Sequence, residues 1–346
     1  MVEQMPAVRV DPYATVDWDA VSRLRDQLHV HTDRTKGTLG AHEVVDCYVD
    51  ELDRDVLAIS GRSYNAPALW PWTEFARIGR REALSWEDRT PADVVAIEAT
   101  EFTVRDHHLC LFTSVLDSDV PEPASNREQI RLLADAGGVV VCCHPHFSGY
   151  GADDWRHFTR LYETFPPDAL LGQEIWTSVE DYDDGRTGGH PNDEDLWDEV
   201  LARWHGERNV YGLSVDDPPG STMRTDGIGR PIGRYFNVVF ARERTPAAVR
   251  DAYVAGHFYP VRLRSWEHAD EPRPSPPRLE RARVTTEAIE VTVGGDVAVT
   301  WISDGRPVHE GCCLPLDTPG MRTYVRARLQ TDDGCLASTQ PYLLNG

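Results

Sequence analysis

The chain has 346 residues, 40% of them hydrophobic, which is enough for one large domain and a small one. Acidic residues outnumber basic ones 57 to 35, for a formal net charge of -22. A general nucleic-acid or anionic-membrane surface is excluded on that balance, because both need a basic footprint. No apolar run is long enough to span a bilayer, and Met1 to Asp19 lacks the basic start and apolar core of a secretory signal, so a cytoplasmic setting is expected. The cysteines are Cys47, Cys110, Cys142, Cys143, Cys312, Cys313 and Cys335. An odd count with two adjacent pairs and no C-x-x-C is neither a disulfide framework nor a zinc ribbon, and small residues kept reduced are expected. Lys36 is the only lysine; every other cationic side chain is arginine.

In chain order, Gln27 to His31 reads as a short strand ending in Leu28-His29-Val30-His31-Thr32. Side chains alternate along a strand, so His29 and His31 share a face about 7 Å apart and can chelate one cation. Taken alone, the pair fits equally a strand with two surface histidines. Ala41 to Leu52 has Val44, Val45, Tyr48 and Leu52 near one face of a helix, and Asp55 to Ser60 is apolar enough for a buried strand. A long excursion, Ala66 to Asp93, follows, with Trp70, Trp72, Phe75 and Trp86 as candidates either to line a pocket or to pack the insertion onto the body.

Val94 to Val104 and His107 to Thr113 read as extended, and Ala124 to Ala134 as helical. Gly138 to Cys143 is a buried strand running into His144-Pro145-His146. Helices are expected over Asp153 to Phe165 and Asp193 to His205, and strands over Gly172 to Thr177, Val210 to Asp217 and Phe236 to Ala241. Thr245-Pro246 through Gly256 carries a helix cap, a first-turn proline and a terminating glycine. Strands alternating with helices point to a parallel sheet with helices outside, and seven or so repeats favour a barrel. His29, His31, His144 and Asp217 all fall at or just past strand C-termini, the rim where barrel enzymes place their active sites.

Glu267 to Arg278 is a proline- and charge-rich linker. Short alternating runs follow, Arg281 to Thr286, Ile289 to Val293, Val297 to Ser303, Arg322 to Gln330 and Cys335 to Leu343, and read as a small all-β module. The expected division is a lead-in over 1–18, a barrel over 19–266, the linker 267–278 and a β-sandwich-like domain over 279–346. Gly212-Leu213-Ser214-Val215-Asp216 lacks the nucleophile-elbow glycine, and the glycines from Gly227 to Gly233 do not lead a strand into a helix. A serine hydrolase and a dinucleotide fingerprint are therefore not indicated.

Taken together and in order, LHVHTDRTKGTL, LAISGRS (Leu57 to Ser63), ATEFTV (Ala99 to Val104) with His107 to Leu111, VCCHP (Val141 to Pro145) and SVDDPPG (Ser214 to Gly220) resemble the motifs of the polymerase and histidinol phosphatase (PHP) metallohydrolases. The resemblance spans about Leu28 to Leu263, and the helix, strand and β module beyond resemble the branch that includes carbaryl hydrolase. It implies a distorted (β/α)7 barrel with up to three divalent metals at its rim. The implied first site takes His29, His31, Glu101 and Asp217; the second takes Glu101 as a bridge with His107 and His144, neighbouring His108 being the alternative to His107. At the third site the family's ligands are replaced by Lys36, Arg62 and Pro219. His146, His190 and Asp33 are expected near the rim as supporting or surface residues.

Mixed imidazole and carboxylate ligands suit Mn, Zn or Fe. The implied function is a two-metal hydrolase of a phosphoester or an amide or carbamate in a small-molecule substrate, with Lys36 and Arg62 meeting anionic oxygen where the third metal would lie. The competing expectation is a degenerate barrel that binds a ligand or partner without chemistry.

Overall fold

The computed structural model describes residues 7–33, 35, 37, 39–63, 94–113, 115, 119–145, 155–178, 193–218, 232–265 and 272–345. Lys36, Pro219, His146, His190 and the aromatic residues of 66–93 lie outside them.

Among the described residues the first part of the chain has ten strands: β1 (Val8–Val10), β2 (Ser22–Gln27), β3 (Val56–Ile59), β4 (Val95–Phe102), β5 (His108–Leu111), β6 (Val139–Cys142), β7 (Leu170–Thr177), β8 (Tyr211–Val215), β9 (Tyr235–Ala241) and β10 (Phe258–Arg262). The helices are α1 (Ala41–Val45), α2 (Asn126–Asp135), α3 (Trp155–Thr164), α4 (Asp193–Ala202) and α5 (Pro246–Ala255). Every residue of β3, β6 and β8 is buried, as continuous apolar runs require of strands covered on both faces. Thr245 caps α5 by accepting from the Ala248 amide, Pro246 occupies its first turn, and Gly256 ends it at φ 81°.

The helix expected over Ala41 to Leu52 is only α-helical to Val45; Asp46–Glu51 widens into a π-helical turn. Its apolar face survives the change: Val44, Val45, Tyr48 and Leu52 are all buried.

The described residues form a mixed α/β structure with one large sheet and few helices. β2, β3 and β4 are parallel, as are β6, β7 and β8. Between them β4, β5 and β6 run antiparallel, and β9 returns antiparallel to β2. This departs from uniform strand–helix repeats. Only Thr103 to His107 connects β4 to β5, a hairpin-length link that cannot hold the dozen or more residues of a parallel crossover. No ladder joins β8 to β2. Polar side chains bridge that seam: Asn237 accepts from the Ser214 amide at 2.9 Å and donates to Asp26, and Gln27 accepts from the Asp216 amide at 3.2 Å.

The C-terminal part adds β11 (Arg278–Val284), β12 (Ala288–Gly294), β13 (Val297–Ser303), β14 (Arg306–Glu310), β15 (Cys313–Pro315), β16 (Tyr324–Thr331), β17 (Leu336–Ser338) and β18 (Tyr342–Leu344). β11, β12 and β15 form a separate three-stranded sheet. The others extend the large sheet, because β17 pairs with β10. The N-terminal β1 also belongs here, paired with β18. A shared core containing Phe240, Tyr259, Leu279, Ile289, Trp301 and Leu329 runs under both parts. Buried Arg326 on β16 clamps α4, donating to Asp198 Oδ2 at 2.7 Å and Glu194 Oε1 at 2.8 Å.

Candidate metal centre

β2 ends at Gln27, so His29 and His31 lie just beyond it and not within a ladder. They still converge. Their ring centroids are 5.1 Å apart, and both Nε2 atoms face Glu101 and Asp217. Glu101 comes from β4, which feeds it in from the neighbouring parallel strands. His144 and Asp217 follow the ends of β6 and β8, each in the left-handed region, at φ 24° and 34°. Such backbone costs about 1–3 kcal/mol per residue and persists where the surroundings over-determine it. Here Ser178 does part of that, its hydroxyl donating to the carbonyls of Asp216 and Asp217.

The structure thus brings His29, His31, Glu101, His107, His144 and Asp217 into one cluster, all buried except the partly exposed His107. The separations bear on whether a cation fits. His31 Nε2 is 3.2 Å from both Glu101 Oε2 and Asp217 Oδ1. His29 Nε2 is 3.7 and 3.5 Å from the same two oxygens. His144 Nε2 is 3.7 Å from Glu101 Oε1 and 3.6 Å from Asp217 Oδ2. Ligand atoms about 2.0–2.1 Å from a tetrahedral ion are about 3.4 Å from one another, so this spacing suits donors around a cation. His29 Nε2 and Glu101 Oε2 are fully buried and make no hydrogen bond, a costly arrangement for polar atoms unless an ion sits between them. Two overlapping groups can hold ions, His29/His31/Glu101 and Glu101/His107/His144, with Glu101 common to both. The donor set fits divalent metal.

The electrostatics agree. Burial pushes the His29 imidazole down, but Asp217, Glu174 and Glu101 outweigh it and lift the group to about 10. Burial pushes Glu101 up, and the His107 hydrogen bond, with the His144, His29 and His31 imidazoles facing it, overcomes this and holds it well below the usual carboxylate range. Protons and metal ions compete for such a set, so metal affinity rises with pH.

His107, not His108, faces the cluster. His107 Nδ1 is 2.6 Å from Glu101 Oε1. His108 is buried on the opposite side of the strand, 2.7 Å from Gln129 Nε2, and burial pushes it down to about 4. Likewise Asp216 turns away from Asp217 to accept from Tyr48 at 2.9 Å and the Tyr235 amide at 3.0 Å. Arg62 does reach the site: its Nε is 3.3 Å from Glu101 Oε2, and its side chain is 22% exposed. Asp33 is exposed and outside the cluster.

Sequence reasoning missed Glu174. It lies on β7, fully buried, with Oε1 2.7 Å from His29 Nδ1 and Oε2 accepting from the His144 amide at 2.8 Å. The available signal was a carboxylate inside the fully buried strand LLGQEIWT. Cys143 lies near enough to form a third group with His29 and Glu174.

No family model and no curated protein matches this chain. Among solved structures it is similar to a two-domain protein containing a predicted PHP-like metal-dependent phosphoesterase from Bacteroides vulgatus, at 14% identity, 99% coverage of each chain and a TM-score of 0.48. It is also similar to PsfC from Pseudomonas syringae, at 12% identity over 64% of this chain and 83% of that one, with a TM-score of 0.37. Neither likeness bears on the activity of this chain.

Proposed function

We propose that the protein is a metal-dependent hydrolase of the PHP type, on a distorted barrel, acting on a phosphoester or an amide or carbamate of a small molecule. The observation that carries this reading is the convergence of three imidazoles and two carboxylates at 3.2–3.7 Å, with buried donor atoms on His29 and Glu101 that lack hydrogen bonds. His29, His31, Glu101 and Asp217 would hold one divalent ion, and Glu101, His107 and His144 a second. Bound metals supply Lewis acidity and lower the pKa of water at neutral pH. The chain's own residues do the rest. Glu174 accepts a hydrogen bond from His29 Nδ1–H and so fixes its tautomer with Nε2 toward the cluster. Glu101 and Asp217 provide the negative charge that concentrates cations there. Arg62, beside Glu101, offers guanidinium donors to an anionic oxygen of the substrate, and Lys36 is proposed to do the same.

The contact between Arg62 and Glu101 also favours a second reading, a degenerate barrel that binds a ligand without chemistry, because a fixed cation already neutralises the central carboxylate. Metal analysis of chelator-free protein, followed by a panel of aryl phosphate, phosphodiester, amide and carbamate substrates, separates the two. Bound metal with turnover that is lost in Glu101→Gln supports the hydrolase. Metal-free protein unaffected by added Mn or Zn supports the second reading.

A further inference from the structure

A groove of about 470 Å³ is lined by Arg105, Arg127, Arg160, His157, Asn126 and Leu161. Its three arginines come from three separate elements: the link after β4, the first turn of α2 and the middle of α3. This is a concentration of positive charge on a chain of net charge -22. Among the described residues no carboxylate lines the groove, the nearby Asp106 accepting from Asn126 at 3.3 Å. Arg105 is paired with Glu122 at 3.3 Å, but that acid is 78% exposed and the pair is weak. Arg127 and Arg160 have no acidic partner among the described residues, whereas Arg131, one turn further along α2, is held by Asp135 at 2.8 Å. Three unneutralised or weakly neutralised guanidiniums around one concavity repel each other, and an anion relieves that repulsion. The first turn of a helix adds a favourable field for negative charge.

We propose that this groove is a binding site for a phosphate-type oxyanion carried by a small-molecule ligand, held by Arg127 and Arg160 together with Arg105. A planar guanidinium offers paired donors to such an anion, and two of them from different helices fix its position. The volume accommodates more than a bare phosphate, so the anion is one group of a larger molecule. The site stands on its own residues and does not require the metal centre to be catalytic.

The test is the midpoint of thermal unfolding of the purified protein against inorganic phosphate at low ionic strength, with chloride at matched ionic strength as control. A saturable rise is expected with phosphate and not with chloride. Arg127→Gln and Arg160→Gln should each weaken the apparent affinity about tenfold, as the loss of a charge-assisted hydrogen bond would, and the double variant should abolish the response. Arg131→Gln should leave it intact. Glu101→Gln should also leave it intact, which separates this groove from phosphate held at the metal centre. No saturable response in the wild type, a response that survives in the double variant, one equalled by chloride, or one lost in Glu101→Gln overturns the proposal.

Discussion

Glu174 and His29 meet at 2.7 Å between Oε1 and Nδ1 in a fully buried environment, although they are brought together from β7 and from the segment after β2. The other oxygen of the same carboxylate accepts the His144 amide, so a single glutamate positions parts of both proposed ion sites. Replacing it should weaken metal without removing a donor from the cluster. Glu174→Gln should lose metal affinity about 10–100-fold while remaining folded. Competition with a chelator of known affinity, alongside circular dichroism, checks this, and unchanged affinity would mean that Glu174 is only a structural partner.

Glu101 lies in both candidate groups, whereas His144 lies in one. Glu101→Gln should therefore release more metal per chain than His144→Asn, as measured by elemental analysis after dialysis. Near-full occupancy in Glu101→Gln would remove the basis for a shared carboxylate.

The two adjacent histidines should behave oppositely. His107→Asn should lower metal content, and His108→Asn should keep metal but lose stability, since it disturbs a buried bond to Gln129. His108 also sets a pH dependence. Burial depresses it to about 4 when folded, so the unfolded chain binds the proton more readily. Its contribution is present above about pH 6.5 and is lost as pH falls toward 4. Denaturant midpoints of wild type and variant over that range should converge on the acid side.

Arg62→Met should retain metal and lose turnover, by about 10²-fold if its guanidinium stabilises charge on the substrate. The bound metal should number two per chain. Three metals, or undiminished turnover with two, would show that the cation near Glu101 has not taken over a ligand's place.

Arg326→Met should destabilise the whole molecule by about 3–5 kcal/mol, because it strands Glu194 and Asp198 as buried charges. Burial raises Glu194, but Arg326 and Arg328 outweigh it and hold the group at about 2. A depressed carboxylate stabilises above its unfolded pKa, about 4.3, and that stability drains away as pH falls through 2. Thermal midpoints between pH 5 and 2 should fall more steeply in wild type than in Arg326→Met. For the same reason a chain nicked within 272–277 should remain one species on size exclusion, held by the β10–β17 ladder and the Arg326 clamp.

Local signals in the sequence reached the structure where they had local causes. Thr245, Pro246 and Gly256 delimit α5, and the apolar strings VLAI and VVVC became buried strands. The cluster His29, His31, Glu101, His107, His144 and Asp217 was legible as a set through the resemblance, whose ordered motifs no single histidine could replace. Glu174 was not, because its role depends on a partner 145 residues away. Sheet direction failed for a related reason: a strand's composition does not say which way its neighbour runs, and the short Thr103–His107 link was the only hint of a hairpin. Prolines and charges mark the approach to the β module in the sequence, while the ladder and the buried guanidinium that attach it are non-local.

The pairing of Val8 with Leu344 carries a consequence for how the molecule is made. β1 is synthesised long before β18, its ladder partner among the described residues. At about 5–20 residues per second, β1 waits tens of seconds for that partner, and closing the contact costs the entropy of a long loop. The β1–β18 ladder therefore closes only after β18 is made, slowly by topology, and until then an unpaired strand is exposed to other nascent chains.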